Sequence, residues 1–199
     1  MTDYFALLGQ PRRPWLDGES LKQRFHLLSA GAHPDRVHGG TGTERQNANQ
    51  RFADLNAAHA CLRDPRDRLR HLLELELGRK PLELLEIPGS LATLFMEVAA
   101  VCREADGFLA LQAAITSPLL RVRSVADTHA WMDRLHALQS RIAELQNELL
   151  AQLRDLDEKW NEADLRNTLL PELERICRWL GFFGRWQEQI QERVNRLVF

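Results

Sequence analysis

The sequence predicts an all-α protein. Leu, Ala, Glu, Gln and Arg dominate it, β-branched residues are scattered without period-2 alternation, and apolar residues recur at spacings of three and four along most of its length. With 199 residues, 44% of them hydrophobic, the chain has enough apolar side chains for one or two soluble domains. No window approaches the uninterrupted apolar run of a membrane span, and an acid stands at position 3. A cytoplasmic protein without membrane contact is therefore expected. The formal net charge of -2 gives no reason to expect a nucleic-acid partner. Cys61, Cys102 and Cys177 lie far apart without a C-x-x-C pair, which favours reduced, packed thiols over a disulfide framework or a zinc site.

Residues 3 to 8 form a first short helix, ended by Gly9 and followed by Pro11 and Pro14, which break further helix. Asp17 then caps a second helix to Ala30, with Leu21, Phe25 and Leu28 on its apolar stripe and Gly31 as the end signal. Thr43 followed by Gln46 has the capping-box form for a third helix to about Arg63, whose face runs through Ala48, Phe52, Leu55, Ala58, His59 and Leu62. Asp64-Pro65 supplies an N-cap and first-turn proline for a fourth helix, which carries Leu69, Leu72, Leu73 and Leu77 to Gly78.

Residues 79 to 90 read as a linker, bracketed by Lys80-Pro81 and Pro88-Gly89. Beyond it Leu94, Val98, Val101 and Ala105 form a stripe that breaks at Asp106-Gly107, with a short continuation from Phe108 to Ile115 and a turn at Ser117-Pro118. From about Ser124 a long helix carries Leu135, Leu138, Ile142, Leu145, Leu149, Leu156 and Trp160 on a coiled-coil-like seam. A last helix, 162 to 197, repeats this with Leu165, Leu169, Leu173, Ile176, Leu180, Phe183, Ile190 and Val194; Pro171, Gly181 and Gly184 are the positions for a kink. Two long antiparallel helices closed by the 91 to 116 segment make a three-helix bundle over 91 to 199.

The tripeptide His33-Pro34-Asp35 stands between helices two and three, beside a glycine-rich stretch. In a chain of this size it arises by chance on the order of once in a hundred. Pro34 fixes its own φ and biases the residue before it toward extended geometry, so His33 and Asp35 are presented in a restricted arrangement. Asp35 can accept charge-assisted hydrogen bonds from a partner's arginine. No nucleophile, second carboxylate, phosphate-binding loop or H-x-x-x-H pair accompanies it, so neither a catalytic nor a metal site is expected, and no cofactor.

This frame resembles the J domain, the DnaJ-type module that acts on the seventy-kilodalton heat-shock chaperones. Beyond the tripeptide, Phe52, Asn56-Ala57-Ala58, Leu62, Asp64-Pro65 and Arg68 are similar to the family's third helix and its exit. Asp3-Tyr4-Phe5, Leu7-Leu8, Leu16-Asp17, Leu21, Arg24-Phe25 and Leu72-Leu73 resemble the HscB class, co-chaperones of iron–sulfur cluster assembly. The resemblance implies a four-helix J domain over 1 to 78, with helices two and three antiparallel, followed by the bundle.

It also implies a function. The chain would not be an enzyme but would stimulate the ATPase of a DnaK- or HscA-type chaperone, meeting it through His33, Pro34, Asp35, Lys22, Arg24, Arg36 and Asn56. The bundle would hold a client, the iron–sulfur scaffold protein being the class expected, through Leu94, Phe95, Met96, Glu97 and Phe182. Residues 1 to 78 hold 11 Lys or Arg against 10 Asp or Glu, and Ser29-Ala30-Gly31-Ala32 occupies the place of the family's usual lysine and aromatic. Electrostatic attraction is accordingly expected to be modest, with the loop carrying more of the binding. In the bundle Ala99-Ala100 and Arg103 replace leucine and acids of the family's scaffold patch. A monomer or weak homodimer is expected. The alternative is a J-like interaction protein that uses its coiled coil for assembly without chaperone stimulation.

Overall fold

The computed structural model describes residues 2–32, 41–81, 89–117 and 122–198, the side chain of Ala163 excepted; their regular elements are all helices, without a strand among them. The helices are α1 (Tyr4–Leu7), α2 (Gly18–Ala32), α3 (Gly42–Arg63), α4 (Pro65–Leu77), α5 (Gly89–Ala113), α6 (Val125–Lys159) and α7 (Ala163–Val198). They group into two compact units. The first comprises Met1–Leu82 with Leu150–Arg178, the second Glu83–Leu149 with Trp179–Phe199.

In the first unit, Asp3 caps α1 by accepting from the Ala6 amide at 3.1 Å, and Gly9 follows with φ of 60°, a left-handed turn that suits glycine. Asp17 caps α2, its carboxylate accepting from the Ser20 amide at 2.8 Å. Helices α2 and α3 pack through Phe25 and His59, whose rings stack at 4.2 Å with only 12° between their planes. Asp64 caps α4 by accepting from the Asp67 amide at 2.8 Å, Pro65 opens it, and Gly78 closes it in the left-handed conformation at φ 65°. Phe5, Leu8, Leu21, Leu55, Leu62, Leu69, Leu72 and Leu73 are fully buried. Each such burial contributes on the order of 1.5–3 kcal/mol. Leu153, Trp160, Leu173 and Ile176, from the ends of α6 and α7 that belong to this unit, are buried as well.

In the second unit α5 runs antiparallel to α6, with Glu104 paired to Arg134 and Glu97 to Arg141, both at 2.6 Å. Helix α7 returns antiparallel to α6: Gln139 donates to Gln191 at 3.0 Å and accepts from Gln187 at its carbonyl at 2.9 Å. Arg193 of α7 reaches the Cys102 carbonyl at 3.2 Å and the Asp106 carboxylate at 2.6 Å on α5. This is the expected three-helix arrangement.

Several expected element details are corrected. Helix α2 runs through Gly31 to Ala32: Gly31 keeps a negative φ, and the buried Ala32 methyl holds the last turn. The α3 capping box is Thr41 and Glu44 rather than Thr43 and Gln46. Glu44 accepts from the Thr41 amide at 2.8 Å and hydroxyl at 3.0 Å, and its own amide donates to Thr41 Oγ1 at 3.3 Å. A carboxylate at a helix N-terminus gains from the dipole what the Gln46 amide cannot. Helix α5 does not break at Asp106-Gly107, because Arg193 and Arg196 both anchor the Asp106 carboxylate. On α6 the seam takes in Leu153, while Leu145 and Leu156 are only half-buried; on α7 Leu165 is exposed. Helix α7 is continuous through Pro171, Gly181 and Gly184. Pro118 lies outside the described residues.

Candidate functional site

The described part of the candidate chaperone-contacting face lies on α2 and α3; His33, Pro34, Asp35 and Arg36 lie outside the described residues. Lys22 is exposed on α2. Arg24 is also exposed, yet its guanidinium has a local task. Its Nε donates to the Leu8 carbonyl at 3.3 Å, and a Cβ placed on Gly9 would come within 2.9 Å of it. Arg24 thus ties the end of α1 to α2 while keeping part of its charge in solvent. Asn56 is exposed on α3, donating back to the Phe52 carbonyl at 2.7 Å, which leaves its side-chain carbonyl free of that bond. Leu27, at 65% exposure, is an apolar side chain in solvent on the same helix as Lys22 and Arg24. Sequence reasoning passed over Leu27 because it falls between stripe positions.

Two histidines pack the helices of this unit together, His59 against Phe25 and His71 against Tyr4 and Phe5. His59 has its pKa lowered by burial, then by the charges of Arg63 and His26. His71 on α4 is buried, and burial lowers its pKa too; its neutral Nε2 accepts the Tyr4 amide at 3.0 Å and its ring stacks on Phe5 with centroids 5.8 Å apart. These contacts seat α1 on α4.

The connector from Gln10 to Leu16, between α1 and α2, is held by groups remote in sequence. Arg68 is buried, donating from Nε to the Pro14 carbonyl at 2.9 Å and from NH1 to the Leu62 carbonyl at 2.8 Å; burial brings its pKa down to about 10. The buried Asp157 carboxylate accepts from Arg13 Nε at 2.9 Å, from a second Arg13 nitrogen, and from the Trp15 amide at 3.0 Å. Sequence reading missed Asp157, since an acid one position past a seam leucine reads as solvated surface.

On the second unit the five residues of the expected client face separate. Leu94 is buried in the core, and Glu97 is engaged by Arg141. Phe182 is only 8% exposed, packed on Trp186 with centroids 6.0 Å apart and covered by the Arg185 guanidinium at 4.9 Å. Phe95 at 36% and Met96 at 63% remain as apolar surface, Phe95 lying 6.3 Å from the Trp186 ring. The aromatic cluster of Phe182, Phe183 and Trp186 is therefore largely core that supports Phe95.

Among the described residues no group of three or more His, Cys, Asp or Glu could hold a metal, and no helix is long and apolar enough to cross a membrane. Cys102 and Cys177 are buried and Cys61 half-buried, all as free thiols; burial pushes Cys61 and Cys177 up to about 11.

No protein-family model matches the chain. A co-chaperone HscB homolog of Bordetella avium (strain 197N) is 40% identical over 72 residues, a match that covers 36% of this chain and 43% of that relative. Chaperone HscB from Vibrio cholerae superposes with a TM-score of 0.64 at 23% identity, covering 98% of this chain and 99% of that one. Human co-chaperone protein HscB superposes with a TM-score of 0.61 at 20% identity, over 96% of this chain and 81% of that one. By sequence over the matched segment and by all-α fold along nearly its whole length, the chain resembles the HscB class of J-domain co-chaperones.

Proposed function

We propose that this protein is a co-chaperone that stimulates ATP hydrolysis by a DnaK- or HscA-type chaperone and delivers a client of iron–sulfur cluster assembly to it. The observation that carries the reading is the conjunction of His33-Pro34-Asp35 with 40% identity to an HscB homolog over 72 residues. Residues 1 to 78 act as the J domain, 79 to 90 as linker and 91 to 199 as the client-holding part.

On the chaperone side, His33, Pro34, Asp35 and Arg36 form the contact loop. Lys22 and the solvent-facing part of Arg24 supply positive charge for an acidic partner surface, and Asn56 supplies a hydrogen-bonding group. Leu27 adds apolar area to this face. The chain contributes no catalytic group; its effect on ATP comes from binding one conformation of the chaperone better than another. On the client side, Phe95 and Met96 offer an exposed apolar pair of the kind that anchors a partner, with Glu97 and Arg141 as its polar rim. Leu94 and Phe182 support that pair from the core.

Steady-state ATPase measurement with the partner chaperone tests the first half. Wild type is expected to stimulate and His33→Gln to lose the effect; equal rates for the two refute the reading. Calorimetry with the iron–sulfur scaffold tests the second half, with Met96→Asp expected to weaken binding, and absence of wild-type binding removes the scaffold alone.

A further inference from the structure

We infer that Asp157 is a positioning residue for α2: by holding the connector in front of that helix, it sets the orientation in which the chaperone-contacting face is presented. This rests on the co-chaperone reading above. The connector cannot organise itself, because Pro11 and Pro14 lack amide hydrogens and interrupt helix. Its Pro14 carbonyl is met from α4, its Trp15 amide from α6 and its Arg12 carbonyl by Trp160, just past the end of α6.

The Asp157 carboxylate receives Arg13 through two guanidinium nitrogens and the Trp15 amide, two residues before the α2 N-cap Asp17. Trp160 Nε1 donates to the Arg12 carbonyl at 2.8 Å, and Arg154 lies 4.1 Å over the Trp15 ring. Asp157 is the hub of this set, binding both the connector backbone and its one inward-reaching cation. A buried carboxylate with three donors is a stiff attachment, since each bond is charge-assisted and the Asp157 end is shielded from water. Loss of the attachment widens the orientations open to α2. Only a fraction of molecules then presents the contact face correctly, which weakens apparent affinity by that fraction and leaves the fully bound complex unchanged.

The experiment titrates the full chain into a DnaK-type ATPase and follows amide hydrogen exchange of the free protein. For Asp157→Asn, the concentration giving half-maximal stimulation is expected to rise about three- to tenfold with the plateau preserved. His33→Gln by contrast loses the plateau. Exchange is expected to accelerate at the Trp15 amide and along α2 while the slow amides of α4 stay slow, a local pattern that general destabilisation does not produce. If Asp157→Asn does not fold, Arg13→Gln, which removes the charged partner from the rim, carries the same expectation at smaller size. Wild-type exchange at Trp15 and α2 in the variants overturns the inference, and so does accelerated exchange with an unchanged half-maximal concentration. Absence of stimulation by wild type removes the co-chaperone reading and with it the chaperone-facing half of the inference; exchange alone then decides whether Asp157 holds α2.

Discussion

Arg68 on α4 donates from Nε to the carbonyl of Pro14 at 2.9 Å, and through NH1 to the Leu62 carbonyl at 2.8 Å, so one buried cation closes the connector onto the end of α3. It makes no direct salt bridge among the described residues; two backbone carbonyls, the Trp15 ring 5.7 Å away and the charges of Asp64 and Asp157 hold the cation. Arg68→Met leaves both carbonyls without donors inside the core. The expected loss is about 2–4 kcal/mol of unfolding free energy, read from the urea midpoint. Arg68→Lys is expected to recover only part of it, because an ammonium cannot reproduce the guanidinium fork.

His71 accepts the Tyr4 amide as a neutral ring, and burial holds its pKa below the ordinary value of 6.5. The unfolded chain therefore takes up a proton at a pH where the folded chain resists it. Stability from this group is present above about pH 6.5 and is lost as pH falls below it. His59 has the same sign. The urea midpoint is expected to be flat from pH 8 to 7 and to decline toward pH 5. His71→Gln, which keeps an acceptor for Tyr4, should make that decline shallower.

Thr41 rather than Thr43 begins α3, and the two are separable by mutation. Thr41→Ala removes the acceptor for the Glu44 amide and is expected to cost about 1 kcal/mol. Thr43→Ala is expected to be near neutral. Thermal unfolding of the two single variants ranks the assignments, and the reverse order would restore the Thr43 cap.

The two long helices offer a packing contrast. Leu153 is fully buried and Leu165 is exposed, although Leu165 was the one expected on the apolar seam. Leu153→Ala is expected to lose about 2–5 kcal/mol by opening a cavity. Leu165→Ala should lose no more than about 1 kcal/mol. Denaturant unfolding of both variants checks the seam.

Much of the architecture was legible because it depends on local signals. Asp17 and Asp64 cap where their spacing to a free amide predicts, and Pro65 and Gly78 bound α4 through fixed φ and left-handed freedom. Leu69, Leu72 and Leu73 were readable as core from helical period alone. The capping-box spacing was read at Thr43-Gln46, whereas Thr41-Glu44, with the same spacing and a carboxylate in place of the amide, forms the box. Leu145, Leu156 and Leu165 show the limit of periodicity: a long helix drifts relative to a strict heptad, so which leucine faces inward depends on the neighbour it meets.

The candidate site divides in the same way. The sequence alone determined the all-α class, the order of the helices and the His33-Pro34-Asp35 motif, because capping, helical period and a short motif are properties of nearby residues. Only the tertiary structure decided that Leu94 and Phe182 are core, that Glu97 is spent on Arg141, that Arg24 is half committed to Leu8, and that Asp157 and Arg68 hold the connector. The Leu8 carbonyl that Arg24 binds lies 16 residues away, the Pro14 carbonyl that Arg68 binds 54, and the Arg13 that Asp157 binds 144. A side chain's chemistry sets what it can bind, but whether that capacity faces water, a partner or a distant carbonyl is set by packing.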